Sequence, residues 1–471
     1  MPDAYSSLIL PDVRLMVIEE DRHAMSEFCR VLHPAVVATI LEELGPREVW
    51  TILDHADLRL RAEIFEYIGL HRQTELVAKL DKRRLSELLE EMSPDDRVDL
   101  LTRMPNNRVQ DLLPLIAQAE RNDIRRLLSY EKDTAGTIMT TEYASLPADI
   151  TVETALQRLR EQAPDSETIY YIYILNNSRR LEGLISLREL ILARVETVLS
   201  DIMQRDVIRM RVDEDREDVV QELARYNFIA MPIVDQDNRL VGIVTHDDAI
   251  DVVQEEATED AYRQGAVEPL RDDYEDTPLL TILWKRGIWL VVLTFVALMT
   301  AGVAKHYEEA TSENGARAAE APADLTSALI FLFIPLVMAS GGNAGSQSAT
   351  LFIRMFALQP VDAAVAGTEF RVDRSLVLRE FAVAASLGAV LGLMDFLFVW
   401  LWFGDIGIDR AGVVGGTVFL IVILGTTAGT MLPIMFRRIG MDPAIMSNPL
   451  IAAIVDVLGV VIFYEVAILC L

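Results

Sequence analysis

The chain predicts a multidomain fold: a cytosolic α-helical superhelical domain, an α/β module in two tandem copies, and then an all-α domain of five transmembrane helices. Three observations predict it. Charge divides the chain, since residues 1–276 hold 32 Lys and Arg against 57 Asp and Glu, whereas residues 277–471 hold 11 against 15. A helix followed by two apolar strands occurs twice between residues 137 and 253. Beyond residue 279 come five stretches apolar enough to cross a bilayer, whose hydrocarbon core takes about 20 such residues.

In chain order, residues 1–132 read as an acidic helical domain. Apolar residues recur at helical spacing in Val36-Val37-Ile40-Leu41-Leu44, in Leu85-Leu88-Leu89-Met92 and in Val98-Leu100-Leu101-Met104. Ser93-Pro94-Asp95-Asp96 is a helix start, with serine as cap, proline at the first helical position and acids in the first turn. Breaks at His33-Pro34, Gly45-Pro46 and Met104-Pro105 cut the segment into short helices, the pattern of a superhelix of repeats. No basic segment followed by an apolar one stands at the N-terminus, so membrane insertion is expected to be directed by the first span.

Residues 133–252 carry the duplication. Its copies open at Ile138-Met139-Thr140 and Ile202-Met203-Gln204, continue with helices over Thr154–Arg160 and Glu217–Tyr226, and close with strand pairs. The strands are Tyr171–Leu175 with Leu181–Ser186, and Met231–Val234 with Leu240–Thr245. Asn176-Asn177 and Asp237-Asn238 favour tight reversals between them. Residues 253–278 are expected to form a connecting helix and linker. A helix over residues 247–260 sets Asp248, Asp251, Glu255 and Glu259 on one face, where each like-charge pair costs about 0.2–0.5 kcal/mol. Such a run commonly makes a solvated face; leading into a membrane domain, it is also a face whose repulsion divalent cations would relieve.

Residues 279–471 hold the spans, expected at Ile288–Ala304, 325–353, Phe381–Trp402, Ala411–Phe436 and Met446–Leu471. The connections after spans two and four hold Arg354, Arg371, Arg374, Arg379, Arg437 and Arg438, against Lys305, Arg317 and Arg410 in the other two. Basic excess stays inside, so the N-terminus is placed in the cytoplasm and the C-terminus outside a cell (inner) membrane.

Span two runs without a formal charge from 325 to 353, yet contains Ser340-Gly341-Gly342-Asn343-Ala344-Gly345-Ser346-Gln347-Ser348. Lipid cannot satisfy those polar groups, so they face another helix or a wet path. A small-residue seam between helices would carry the same pattern. In span five Asp456 is a carboxylate among apolar residues, and no basic residue lies deep in any span. A charge at mid-membrane costs about 2.5–3.5 kcal/mol on insertion scales, so its partner is a proton, a cation or both. Asp395 and Glu465 are weaker cases of the same kind. The membrane half has no Cys or His cluster, and oxygen ligands suit hard cations; Mg²⁺ keeps several waters while one or two carboxylates hold it. Backbone at Gly341–Gly345 and the Asn343 amide offer contacts to those waters.

The acidity argues against nucleic acid and anionic lipid as partners. The chain lacks G-x-x-x-x-G-K-[ST] and H-E-x-x-H, which argues against an ATPase, a metalloprotease and an enzyme generally. Cys29 and Cys470 are expected far apart on opposite sides of the membrane, so no disulfide framework is expected.

The duplicated module resembles a tandem pair of CBS domains. That resemblance implies a regulatory role and ATP or another adenine nucleotide as a ligand, its ribose gripped by a hydroxyl three residues before a carboxylate. Thr245/Asp248 fits that pattern and Ser186/Glu189 fits it loosely; either pair also reads as a helix cap. Nearly the whole chain resembles the MgtE-type magnesium transporters. The motifs that carry this are Gly341–Thr350, Leu432-Pro433, Arg437–Ala444, Ser447-Asn448-Pro449-Leu450, Asp456–Gly459, Asp133–Gly136 and Ala257–Asp260. The resemblance implies a Mg²⁺-selective channel or transporter for passive uptake, built as a homodimer. The pore would lie on the dimer axis, bind Mg²⁺ at Asp456 and be lined by Gly341, Gly342, Asn343 and Ala452. It implies Mg²⁺ sensing by Asp95 and Asp99, by Asp215 and Glu217, and by Asp248, Asp251, Glu256, Glu259 and Asp260, which closes the pore. The alternative is a cation-coupled carrier or exporter of Co²⁺, Mn²⁺ or Mg²⁺. Two departures stand out: Ala452, Ala453 and Val455 where the family often has hydroxyls, and Asn227 where it can place an aspartate.

Overall fold

Short helices follow one another through the first quarter of the chain because a cap or a proline restarts the helix every ten residues or so. The computed structural model describes residues 4–163, 166–270, 274, 277–315, 330–357, 374–403, 407–439, 441–445 and 447–470. It divides into two units, residues 1–253 and 254–471. The helices are α1 (Ala4–Ile18), α2 (Arg22–Val31), α3 (Pro34–Glu42), α4 (Pro46–Leu53) and α5 (Leu58–Glu66), followed by α6 (Leu70–Ala78), α7 (Lys82–Glu91), α8 (Pro94–Arg103), α9 (Asn106–Leu112) and α10 (Gln118–Leu127). Asp21, Asp57 and Asp81 cap α2, α5 and α7 through their side chains, and Pro34, Pro46 and Pro94 occupy first helical positions.

The repeat behind the superhelix is a helix pair of 24 residues. Glu42, Glu66 and Glu90 each accept a backbone N–H at the start of a later helix, from Gly69 (3.0 Å), Ser93 (2.6 Å) and Ala117 (2.8 Å). Gln73, Arg97 and Arg121, again 24 apart, each donate to a carbonyl at the preceding helix's end: Ile68 (2.7 Å), Met92 (2.5 Å) and Ile116 (2.9 Å). Both sets satisfy backbone groups that helix termini leave orphaned. Ile40, Leu53, Phe65, Leu76 and Leu88 fill the continuous core between the pairs.

The duplicated module forms two three-stranded sheets of the same topology. Strand β1 (Tyr143–Leu146) runs parallel to β2 (Thr168–Leu175), which pairs antiparallel with β3 (Leu181–Ser186); β4 (Met210–Arg211), β5 (Ala230–Val234) and β6 (Leu240–Thr245) repeat it. Helices α11 (Val152–Gln162), α12 (Leu187–Leu192) and α13 (Leu199–Ile202) belong to the first copy, and α14 (Arg216–Tyr226) to the second. The copies exchange their openings: Thr140 pairs with Ile243 of β6, and Gln204 with Leu184 of β3. Glycine is favoured at both crossings, because a Cβ on Gly242 would stand 2.8 Å from the Thr140 carbonyl oxygen and one on Gly183 3.0 Å from that of Gln204, backbone groups that cannot swing aside.

Helix α15 (His246–Gln264) is continuous from the end of β6 through the acidic run. In the second unit follow α16 (Leu279–Gly315), α17 (Ile334–Ala357), α18 (Arg374–Trp402), α19 (Ile408–Arg438) and α20 (Asn448–Cys470). By length and composition, Leu279–Tyr307, Leu376–Trp402, Ile408–Arg438 and Asn448–Cys470 can each cross a membrane. The first of these starts nine residues before the expected Ile288; Lys285, inside its first turns, turns its ammonium back to the Pro269 carbonyl. The expected second span falls partly on residues 325–329, outside the described residues; its described part lies in α17, which is not among those four helices, so four of the five expected spans are matched among the described residues.

Helix α17 packs against α19 through facing small residues. A methyl on Gly345 would stand 3.0 Å from the Gly425 carbonyl oxygen, and methyls on Gly425 or Gly429 would collide with the carbonyls of Gly341 and Gly345. Only glycine permits that approach. The same contact buries a hydrogen bond between Ser348 Oγ and Thr430 Oγ1 at 2.8 Å.

Candidate cation sites

Helix α17 has one exposed stripe and one buried one. Ala339, Asn343, Gln347 and Thr350 are exposed, whereas Gly341, Gly342, Gly345 and Ser348 are buried. In a helix that crosses a bilayer, two carboxamides on an exposed stripe would need a partner other than lipid. Beside this helix stands the half-buried Asp456 of α20. A Cβ on Gly342 would lie 3.7 Å from Asp456 Oδ1 and 3.3 Å from Ala452 Cβ, so the bare backbone of Gly342 faces both. Gly341 belongs to the packing instead, since its Cβ would stand 2.6 Å from Ile421 Cγ1. Of the four residues expected to line a pore, Gly342 and Ala452 stand beside Asp456, Asn343 is exposed, and Gly341 is turned into the helix packing.

The start of α20 is held by α17: Ser346 Oγ donates to the Asn448 carbonyl (3.1 Å) and Thr350 Oγ1 to Asn448 Oδ1 (3.2 Å). The other two intramembrane acids differ. Asp395 is buried within the helices, 6 % exposed, and Glu465 is exposed and accepts the Tyr307 hydroxyl at 2.7 Å.

In the first unit, α8 and the start of α15 bring carboxylates together. Asp95 lies near enough to Asp248 to feel its charge, and Thr245 Oγ1 donates to Asp248 Oδ2. Asp95 Oδ1 is buried with no hydrogen-bond partner. Burial, and then the Asp248 charge, hold the Asp95 carboxyl well above the usual range; burial likewise raises Asp248. Asp96 is pushed up to about 6 chiefly by burial, against the hydrogen bond from Ser93, with Asp248 and Asp251 adding to the rise. Two glutamates complete the patch: Glu66, raised to about 8, and Glu167, raised to about 7, both mainly by burial.

The remaining sensing candidates are dispersed. Asp99 is exposed one turn along α8, and Asp251 is exposed on α15. Asp215 caps α14 by accepting the Glu217 N–H (2.9 Å), and Glu217 Oε1 accepts from Gln221 (3.1 Å). Glu256, Glu259 and Asp260 lie in the second unit, where Glu259 pairs with Arg263. Asp260 is raised by burial and lowered by Arg263 and Arg354. Among the described residues no three His, Cys, Asp or Glu side chains form a ready-made metal-binding group. Bare carboxylates repel, and closer approach needs a cation between them. The orphaned Asp95 oxygen and the all-oxygen donor set fit a hard divalent ion.

Sequence reasoning missed Glu66, Asp96 and Glu167. Glu66 was findable from the Glu42, Glu66, Glu90 period, and Asp96 from its place beside Asp95; Glu167 has no signal in the sequence. Asn227 closes α14 with φ 54°, a left-handed conformation that asparagine tolerates well.

The hydroxyl–carboxylate pairs diverge. Ser186 and Glu189 form a reciprocal cap, with Glu189 Oε2 accepting the Ser186 N–H at 2.9 Å. They also line a cavity of about 220 Å³ with Tyr171, Gln204, Phe228 and Pro232, residues of both copies. Tyr171 and Phe228 stand edge to face, 6.2 Å apart. Thr245 instead donates to Asp248, whose charge raises the Asp95 carboxyl.

Three protein families match the chain: an MgtE intracellular N domain over residues 32–133, CBS domains over 135–196 and 199–255, and the divalent cation transporter family MgtE over 334–466. The chain is 38% identical over 353 residues to the magnesium transporter MgtE of Thermus thermophilus, covering 75% of this chain and 73% of that protein. To the magnesium transporter MgtE of Enterococcus faecalis it is 34% identical over 348 residues, 74% of this chain and 71% of that one. A crystal structure of the soluble part of a magnesium transporter superposes with a TM-score of 0.51 at 33% identity, covering 54% of this chain and 99% of that one.

Proposed function

Because the chain belongs to the MgtE family of divalent cation transporters, we propose that it admits Mg²⁺ passively across the cell membrane past Asp456, and that cytosolic Mg²⁺ closes the path. The observation that carries the first half is the half-buried Asp456 carboxylate against the bare backbone of Gly342, on a helix that also exposes the Asn343 and Gln347 carboxamides. A second copy of the chain covers that exposed stripe, so that two Asp456 carboxylates balance one divalent ion while its water shell is kept. The N-terminus is cytoplasmic and the C-terminus outside.

The buried, partnerless Asp95 oxygen and the Asp248 charge that acts on the same carboxyl support the second half. Mg²⁺ is the regulatory ligand of these carboxylates, with Asp99, Asp215, Glu217, Asp251, Glu256, Glu259 and Asp260 contributing as the modules close around further ions. A cation that binds the closed arrangement better than the open one shifts the population toward closure. The cavity walled by Tyr171 and Phe228 suits an adenine ring, with Ser186 and Glu189 toward the ribose.

The test is Mg²⁺ influx into proteoliposomes, with internal Mg²⁺ stepped upward. Wild-type flux should fall as internal Mg²⁺ rises, and the Asp248→Asn, Asp251→Asn double variant should need at least about fivefold more for the same closure. Equal closure in both would remove the sensing role. Flux that requires a pH gradient would favour the coupled carrier.

A further inference from the structure

The acidic helix α15 carries a basic residue, Arg263, in its last turn, and that residue makes two ion pairs. One guanidinium nitrogen pairs with Glu259 on the same helix, and the other pairs with Asp442, beyond the end of α19. All three side chains are about two-thirds shielded, at 31–34 % exposure. Asp442 is itself fixed, because its second oxygen accepts the Ala444 N–H at 2.7 Å and so starts the 3₁₀ turn Pro443–Ile445. From that turn Ser447 donates to the Ile445 carbonyl (2.8 Å), Ile451 donates to the Ser447 carbonyl (3.0 Å), and α20 begins. One α-helix, without a break, then reaches Asp456.

We propose that Arg263 is a positioning residue, a tethered cation that joins Glu259 to Asp442 and so fastens the connecting helix to the turn that aims α20, with no metal ion required. The inference rests on the reading of Asp456 as the ion's ligand and of α15 as the helix that conveys closure. The net charge of the Glu259–Arg263–Asp442 set is −1, whereas without the guanidinium it is −2. A planar, five-donor guanidinium serves two carboxylates at once, which a mobile ion does only at sufficient concentration. The latch therefore supplies part of the closing free energy at every Mg²⁺ level and sets how much cytosolic Mg²⁺ must add.

Two readouts on the full-length protein test this. The first is independent of transport: limited proteolysis of the segment after α15 in EDTA at low salt. Wild type and Arg263→Lys should be protected there, and Arg263→Gln cleaved faster by about fivefold or more. The second is the internal Mg²⁺ that half-closes the flux, which should rise about fivefold in Arg263→Gln while maximal flux at low internal Mg²⁺ is retained. The exchange variant Arg263→Asp with Asp442→Arg should recover protection that each single change loses. Equal protection in wild type and Arg263→Gln, with both proteins eluting as the same species, overturns the latch even if wild-type flux behaves as proposed. Absent wild-type Mg²⁺ flux would overturn the transport reading alone, and the proteolysis pattern would still decide the role of Arg263.

Discussion

Gly429 stands where two helix backbones touch. A methyl there would meet the carbonyl of Gly345, a backbone group that cannot swing aside. Gly429→Ala should therefore cost about 1–3 kcal/mol, as overpacking of a close contact does. A thermal melt of the detergent-solubilised protein should show it as a clear drop, and an unchanged melting temperature would mean that α17 and α19 do not sit this close. Gly412, with open space around its Cβ position, is the matched control. At this scale the sequence was partly legible. It marked Gly341, Gly342 and Gly345 as exceptional for a membrane segment, but not which of them packs and which faces the carboxylate. That division depends on the rotation of α17, set by Gly425 and Gly429 some eighty residues later. Asn227 is similar: as a missing aspartate it read as a loss, and the backbone at φ 54° gives asparagine a conformational reason to be there.

Elements were legible where a local signal exists. The strand pairs and helices of the duplication follow from alternation, turn residues and caps, and they lie within a few residues of expectation. The 24-residue helix-pair period was not read. Its markers, Glu42, Glu66, Glu90 and Gln73, Arg97, Arg121, are polar residues among many others, and only their hydrogen bonds to helix ends distinguish them. Between α8 and the duplicated module the buried acids make a pH prediction. Glu66, Asp96 and Glu167 hold protons to about 8, 6 and 7 in the folded chain, against ordinary values of 4.5, 3.8 and 4.5. The folded state therefore binds more protons than the unfolded one across that window. Their contribution is complete below the ordinary values and is lost as pH rises toward about 8. With EDTA present, the melting transition of residues 1–253 should fall between about pH 5.5 and about pH 8.5. Mg²⁺ should oppose the fall, and Glu167→Gln should flatten it. A transition that rises with pH would contradict the assignment.

At the scale of the whole molecule, the charge split separates two tasks. The front half carries the excess of acid and supplies carboxylates whose mutual repulsion a divalent ion can cancel; the membrane half carries fewer, and Asp456 stands beside the bare backbone of Gly342. The family was legible from its motifs, and the oxygen-only donor set pointed to a hard cation. What no motif revealed is the meeting of Glu66 and Glu167, because it exists only when the superhelix and the duplicated module pack together. The central claim is that Mg²⁺ passes at Asp456. Mg²⁺ flux into proteoliposomes, with no ATP and no pH gradient, measures it most directly when wild type is compared with Asp456→Asn. The account predicts flux in the wild type that is lost in the variant while both proteins remain folded; equal flux in both would contradict it.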